Sequence, residues 1–121
     1  MSGILGALGG SIGTSQTQCD PVVITPSAGS AFDTVLLTCV TSGAHIFYTS
    51  TLNTGVNPTH TGDNPTGVTI RVGTNNASIT APGNNSNPGV IRALAYKNGL
   101  IDSTISEGDY DAAGGVGGGG G

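Results

Sequence analysis

The sequence predicts an all-β chain, folded as an antiparallel sandwich between residues 19 and 111. Two features point there. Charged residues make up only 8% of the 121 residues, and Leu, Glu, Lys and Arg are scarce, so helix formers are few. In their place stand Thr, Ser, Asn, Val and Ile with 22 glycines, a mixture of β-branched and turn-forming residues. The second feature is spacing: short β-rich runs are broken at regular intervals by turn clusters.

Val22–Thr25 reads as a first strand, stopped by Pro26 and a turn over Ser27–Ser30. Thr34–Thr41 reads as a second, with Val35, Leu37 and Cys39 on one face and Leu36, Thr38 and Val40 on the other. Ser42-Gly43 is a turn, and Ala44–Thr51 a third strand with Ile46 and Tyr48 on one face. Asn53–Asn64 is a polar loop, Gly67–Val72 a fourth strand, and Ser78–Ala81 a short fifth. After a Pro/Gly/Asn/Ser loop at 82–89, Val90–Lys97 is a strong strand, alternating Ile91, Ala93 and Ala95 against Arg92, Leu94 and Tyr96. Asn98-Gly99 signals a hairpin turn, and Thr104–Tyr110 is the last strand. About seven short strands with turns between them is the pattern of an immunoglobulin-like sandwich.

The flanks differ from this body. Residues 1–18 form an arm with Gly at positions 3, 6, 9, 10 and 13, too many for a stable isolated helix. No Lys or Arg precedes its apolar run, which is also shorter than a membrane span, so it reads as a retained arm and not a targeting segment. Residues 112–121 are a low-complexity glycine tail with no core of their own.

Charge excludes further classes. The net charge is −4, and Arg71, Arg92 and Lys97 are the only basic side chains apart from two histidines. That leaves no basic patch for nucleic acid and little attraction to an anionic membrane. Cys19 and Cys39 form no Cys-x-x-Cys pair, so a zinc site is not expected. If Ile24 pairs near Thr34, position 19 comes opposite position 39, and a disulfide is geometrically possible; a buried free thiol at Cys39 is the alternative.

Two stretches carry a resemblance. PVVITPSAGSAFDTVLLTCVTSGAHIFYT at 21–49 and VIRALAYKNGLIDSTISEGDY at 90–110, with Asn57-Pro58-Thr59, resemble the small module found at the C-terminus of chitobiases and β-hexosaminidases and attached to many bacterial surface proteins. The matching positions include Pro26, Gly29, Phe32, Gly43, Ala44, Ile46, Tyr48, Ile91, Ala93, Ala95, Lys97, Gly99, Asp102, Ser103 and Tyr110. The resemblance implies an immunoglobulin-like or fibronectin-type-III-like accessory sandwich, whose hydrolase partner has its active site in another domain. Thr54-Gly55 replaces the family's Asp-Gly, and residues 73–89 are longer than its norm.

No catalytic residues and no cofactor are expected. No Gly-x-Ser-x-Gly elbow and no phosphate-cradling loop occur. His45 should point away from Ile46 as a surface residue, and His60 sits in a polar loop without an evident partner. Glu107, Asp109 and Asp111 would project from one strand face about 7 Å apart, as a solvated face and not a metal site. Asp102-Ser103 reads as a turn cap, and the Asn-x-Ser triplets at 76–78 and 84–86 as chance. Phe47 and Tyr96, on the face opposite Ile46 and Ala95, are the best candidates for stacking on a glycan, but the favoured reading is that they cover the second face of the sheet.

The function expected is structural: a subunit, homo-oligomeric or part of a hetero-assembly, whose flanks dock on other protein subunits. Ile4, Leu5, Leu8 and Ile12 are the expected assembly contacts. A phage virion assembled in the host cytoplasm, with this chain as capsid decoration or tail or fibre component, fits that reading by analogy. The alternative is an extracellular or cell-surface carbohydrate-binding or adhesion module beside a separate glycoside hydrolase.

Overall fold

A computed structural model describes residues 17–113. Within them there is no helix, so none is long and apolar enough to cross a membrane. Ten strands run in chain order: β1 Val23–Thr25, β2 Ala28–Ser30, β3 Thr34–Thr38, β4 His45–Leu52, β5 Thr59–Thr61, β6 Asn64–Thr66, β7 Ile70–Thr74, β8 Asn76–Thr80, β9 Gly89–Tyr96 and β10 Ser106–Asp111. They make a five-stranded sheet ordered β2-β10-β9-β4-β7, a three-stranded sheet ordered β1-β3-β8, and a two-stranded hairpin β5-β6. Every pairing is antiparallel except β2 with β10, which is parallel. The all-β sandwich expected from the sequence is therefore present.

The core lies between the two larger sheets. Val22, Ile24, Val35, Leu37 and Cys39 come from one side, and Ile46, Ile91, Ala93, Ala95 and Tyr110 from the other. Strict alternation on β3 puts Val35 and Leu37 at zero exposure while Thr34 and Leu36 face out. Each such aliphatic side chain contributes roughly 1.5–3 kcal/mol by leaving water. Small Ala93 and Ala95 on the central strand β9 are fully buried, as is the large Tyr110 ring on β10. That ring folds back along β10 over Gly108, where a Cβ would collide with the tyrosine hydroxyl.

Three local features depart from the sequence expectation. Ser27–Ser30 is not simply a turn: Ala28–Ser30 forms β2, held in parallel register by Gly29 opposite Tyr110. The polar loop at 53–64 contributes to the β5-β6 hairpin, with Gly62 at φ 56 in its turn. The β1-β3 register pairs Val23 with Thr38 and Ile24 with Leu37, three residues away from the register that would set position 19 opposite 39.

The ends of the sandwich are distinct. Gln18 bridges to Ile101 in the connection at 97–105, at what we call the upper end. Asp111 and Ala113 lie at the lower end, where Gly89 pairs with Tyr110 and Ala113 N donates to Asn84 O at 2.9 Å. The chain thus enters and leaves the described sandwich at opposite ends.

Candidate functional site

The outer face of the large sheet carries the densest group of chemistry-bearing side chains. On β4 and β9, Phe47 is directly paired with Leu94, and His45 with Tyr96. Alternation points this row away from the core. The connection 53–69 then folds over it, so Phe47 has 0% exposure, and Thr49 and Thr69 are buried too. Thr49 Oγ1 donates to the carbonyl of Val56, tying the connection down.

His60, on the hairpin, lies flat on Phe47, with ring centroids 4.8 Å apart and planes 4° from parallel. Tyr96 adjoins both rings, 4.6 Å from His60 at 52° and 6.1 Å from Phe47. His60 Nδ1 faces the Gly62 carbonyl oxygen at 2.8 Å, and Nε2 faces Asp102 Oδ2 at 2.6 Å. Both partners are oxygen acceptors, so contacts at its two nitrogens pin the ring in place. His45 makes a looser version of the same clasp, with Nδ1 3.1 Å from Thr74 Oγ1 and Nε2 3.5 Å from Asp63 Oδ1.

A polar group adjoins the aromatic one. Arg92 Nε donates to Glu107 Oε1 at 2.7 Å and Nη1 to Asn57 Oδ1 at 2.9 Å. Gly55 makes space for the guanidinium, which a Cβ there would strike. The hydrogen bond from Arg92 holds the Glu107 carboxyl below its ordinary value, while desolvation and the neighbouring Glu107 push Asp109 up. Glu107, Asp109 and Asp111 do share the outward face of β10. Among the described residues no three His, Cys, Asp or Glu side chains are grouped to hold a metal ion.

The glycan expectation changes at one residue. Phe47 cannot stack on a sugar, because His60 and the 53–69 connection cover it. Tyr96 is half-buried. Among the described residues the exposed aromatic is Phe32, which sits at the lower end with φ 75, a conformation bulky side chains rarely adopt. Nothing in the local pattern Ser30-Ala31-Phe32-Asp33 announces this. The pairing of His60 with Asp102, 42 positions apart, is equally invisible in sequence spacing. Asp102 clasps His60, and the cap is supplied by its neighbour: Ser103 Oγ accepts from Ala95 N at 2.8 Å.

Cys19 and Cys39 are buried free thiols. Cys39 Sγ donates to the carbonyl of Asp20 at 3.3 Å, and burial pushes the Cys19 thiol up. Ile4, Leu5, Leu8 and Ile12 lie outside the described residues. In comparisons with known proteins, no protein family, no curated protein and no solved structure matches the chain.

Proposed function

We propose that this chain is a non-catalytic structural subunit, an immunoglobulin-like sandwich held in a larger assembly by its terminal segments. The observation that carries the reading is the path of the chain: the flanks attach at opposite ends of a sandwich with its own core. Such a body can join neighbours above and below it. The strand order, three strands facing five with β1 passing into β2 across the sheets, supports the immunoglobulin-like assignment. His60, held between the Gly62 carbonyl and the Asp102 carboxylate, clamps a hairpin onto the sheet, which favours a structural role. A phage virion, as capsid decoration or tail or fibre component, is the setting we propose.

Removal of residues 1–16 tests this, since Gln18 and Cys19 belong to the sandwich. Binding of the truncated protein to its particle should fall to background while its circular dichroism stays unchanged. Normal association of the truncated chain would refute arm docking.

The exposed Phe32 and half-exposed Tyr96 support a second reading, a carbohydrate-binding module. A glycan array with Phe32→Ala and Tyr96→Ala checks it: loss of a specific glycan signal in either variant supports binding, and no signal from the unaltered protein removes it.

A further inference from the structure

One side of the sandwich is left open. On the opposite side, β1 passes directly into β2, which pairs with β10 and joins the two sheets. On the open side, β7 ends the large sheet and β8 ends the small one, and among the described residues no strand pairs with the outer edge of either. The two strands approach each other near Asn75, where a Cβ on Gly73 would lie 3.0 Å from the Asn76 carbonyl and 3.5 Å from Ala77 Cβ. Away from that contact lies an apolar seam of Tyr48, Val72 and Ile79, half-buried against the core, and Ile70. Ile70 is paired directly with Tyr48, so it belongs to the inner face, yet it is 47% exposed. Val68, just before β7, is 61% exposed. An inner-face isoleucine in water beside a bare strand edge is a surface shaped for one more strand.

We propose that this seam receives residues 4–12 of a second copy of the chain as an added strand paired with β7. The inference rests on the arm-docking reading above and names its acceptor. The segment Ile-Leu-Gly-Ala-Leu-Gly-Gly-Ser-Ile has Ile4, Leu8 and Ile12 at even spacing. In an extended strand all three fall on one face, with Gly6 and Gly10 between them. That face meets Tyr48, Ile70 and Ile79, while the glycines let the backbone come close. Residues 2–16 carry no charged side chain, and the four seam residues are uncharged, so no ion is buried. The occupant comes from a second copy because residues 17–25 run from the upper end into β1, on the far edge of the small sheet from β8.

Two variants of the full chain test this by complementation. Leu8→Asp spoils the arm and keeps the seam; Ile70→Asp spoils the seam and keeps the arm. In analytical ultracentrifugation the unaltered chain should self-associate, each variant alone should be a monomer, and an equimolar mixture should recover a heterodimer. Hydrogen exchange at amides 68–72 should be about tenfold slower in the associated chain than in Leu8→Asp. Recovery on mixing also shows that both variants are folded. A monomeric unaltered chain, a Leu8→Asp variant that still associates, or a mixture that stays monomeric overturns the seam. If the truncated protein loses its particle while the unaltered chain is monomeric with unprotected 68–72 amides, arm docking stands and only this acceptor is wrong.

Discussion

Tyr110 donates its hydroxyl to the carbonyl of Pro26 at 2.6 Å, across 84 residues of chain. The bond locks the last strand to the corner where β1 becomes β2. Tyr110→Phe keeps the ring but leaves that carbonyl without its donor. We expect a loss of about 1–2 kcal/mol in urea unfolding, with an unchanged slope.

The same hydroxyl predicts a pH dependence. Burial, with Asp109 and Asp33 nearby, pushes the Tyr110 hydroxyl up to about 12. In the unfolded chain a tyrosine ionises near 10. The unfolded state therefore sheds its proton first, and this contribution to stability, complete below about pH 10, declines as pH rises toward 12. Subtracting the Tyr110→Phe profile from that of the unaltered protein should isolate this decline. Parallel profiles between pH 9 and 11.5 would contradict it.

Asn75 is the second pin. At φ 65 its amide donates to the carbonyls of Cys39 and Thr41 at 3.0 and 2.7 Å and accepts from Gly43 N at 3.1 Å. It links β7, β8 and the β3-β4 turn in one residue. Asn75→Ala loses these bonds and adds left-handed strain; Asn75→Gly loses only the bonds. Thermal melts should rank the unaltered protein above Gly and Gly above Ala, the last two separated by about 1 kcal/mol.

The clasp over the outer face should behave as a coupled unit. In a double-mutant cycle of His60→Gln and Asp102→Asn, the coupling should be roughly 0.5–1 kcal/mol, limited because the Asp102 side chain is 41% exposed. Either single variant should raise exchange at the amides of β5 and β6 before those of β9. Equal effects on β9 would mean the hairpin is not a separate lid.

Cys19 and Cys39 should resist alkylation in the folded protein and react together once denaturant unfolds it, because both are buried. Mass spectrometry after a brief maleimide pulse reads this directly. Rapid labelling of one thiol in the native state would point to local opening where the chain enters the sandwich.

What the sequence disclosed and what it hid divide along a physical line. β4 and β9 were legible because alternation and β-branched content repeat over eight residues each. The core face of β3, with Val35 and Leu37, followed from the same period, which continues to Cys39 just beyond the strand. β2 was not legible, since Ala28-Gly29-Ser30 has no strand former and is extended only because Tyr110 and its neighbours offer a partner. Phe47 was correctly placed on the outer face but is not at the surface. Alternation reports which side of a sheet a residue takes, not whether a later loop will cover that side. The His60–Asp102 clasp depends on two loops meeting, and no local pattern encodes such a meeting.

The opposite-end attachment of the flanks has a mechanical consequence. Tension applied through residue 17 and residue 113 would pull β2 upward and β10 downward along their common axis. Their three parallel register pairs, Ala28–Asp109, Gly29–Tyr110 and Ser30–Asp111, would then bear load together in shear instead of unzipping one after another. The Tyr110–Pro26 bond spans the same junction. A pull applied at the two ends of the described chain would thus meet the strongest direction of this small sandwich.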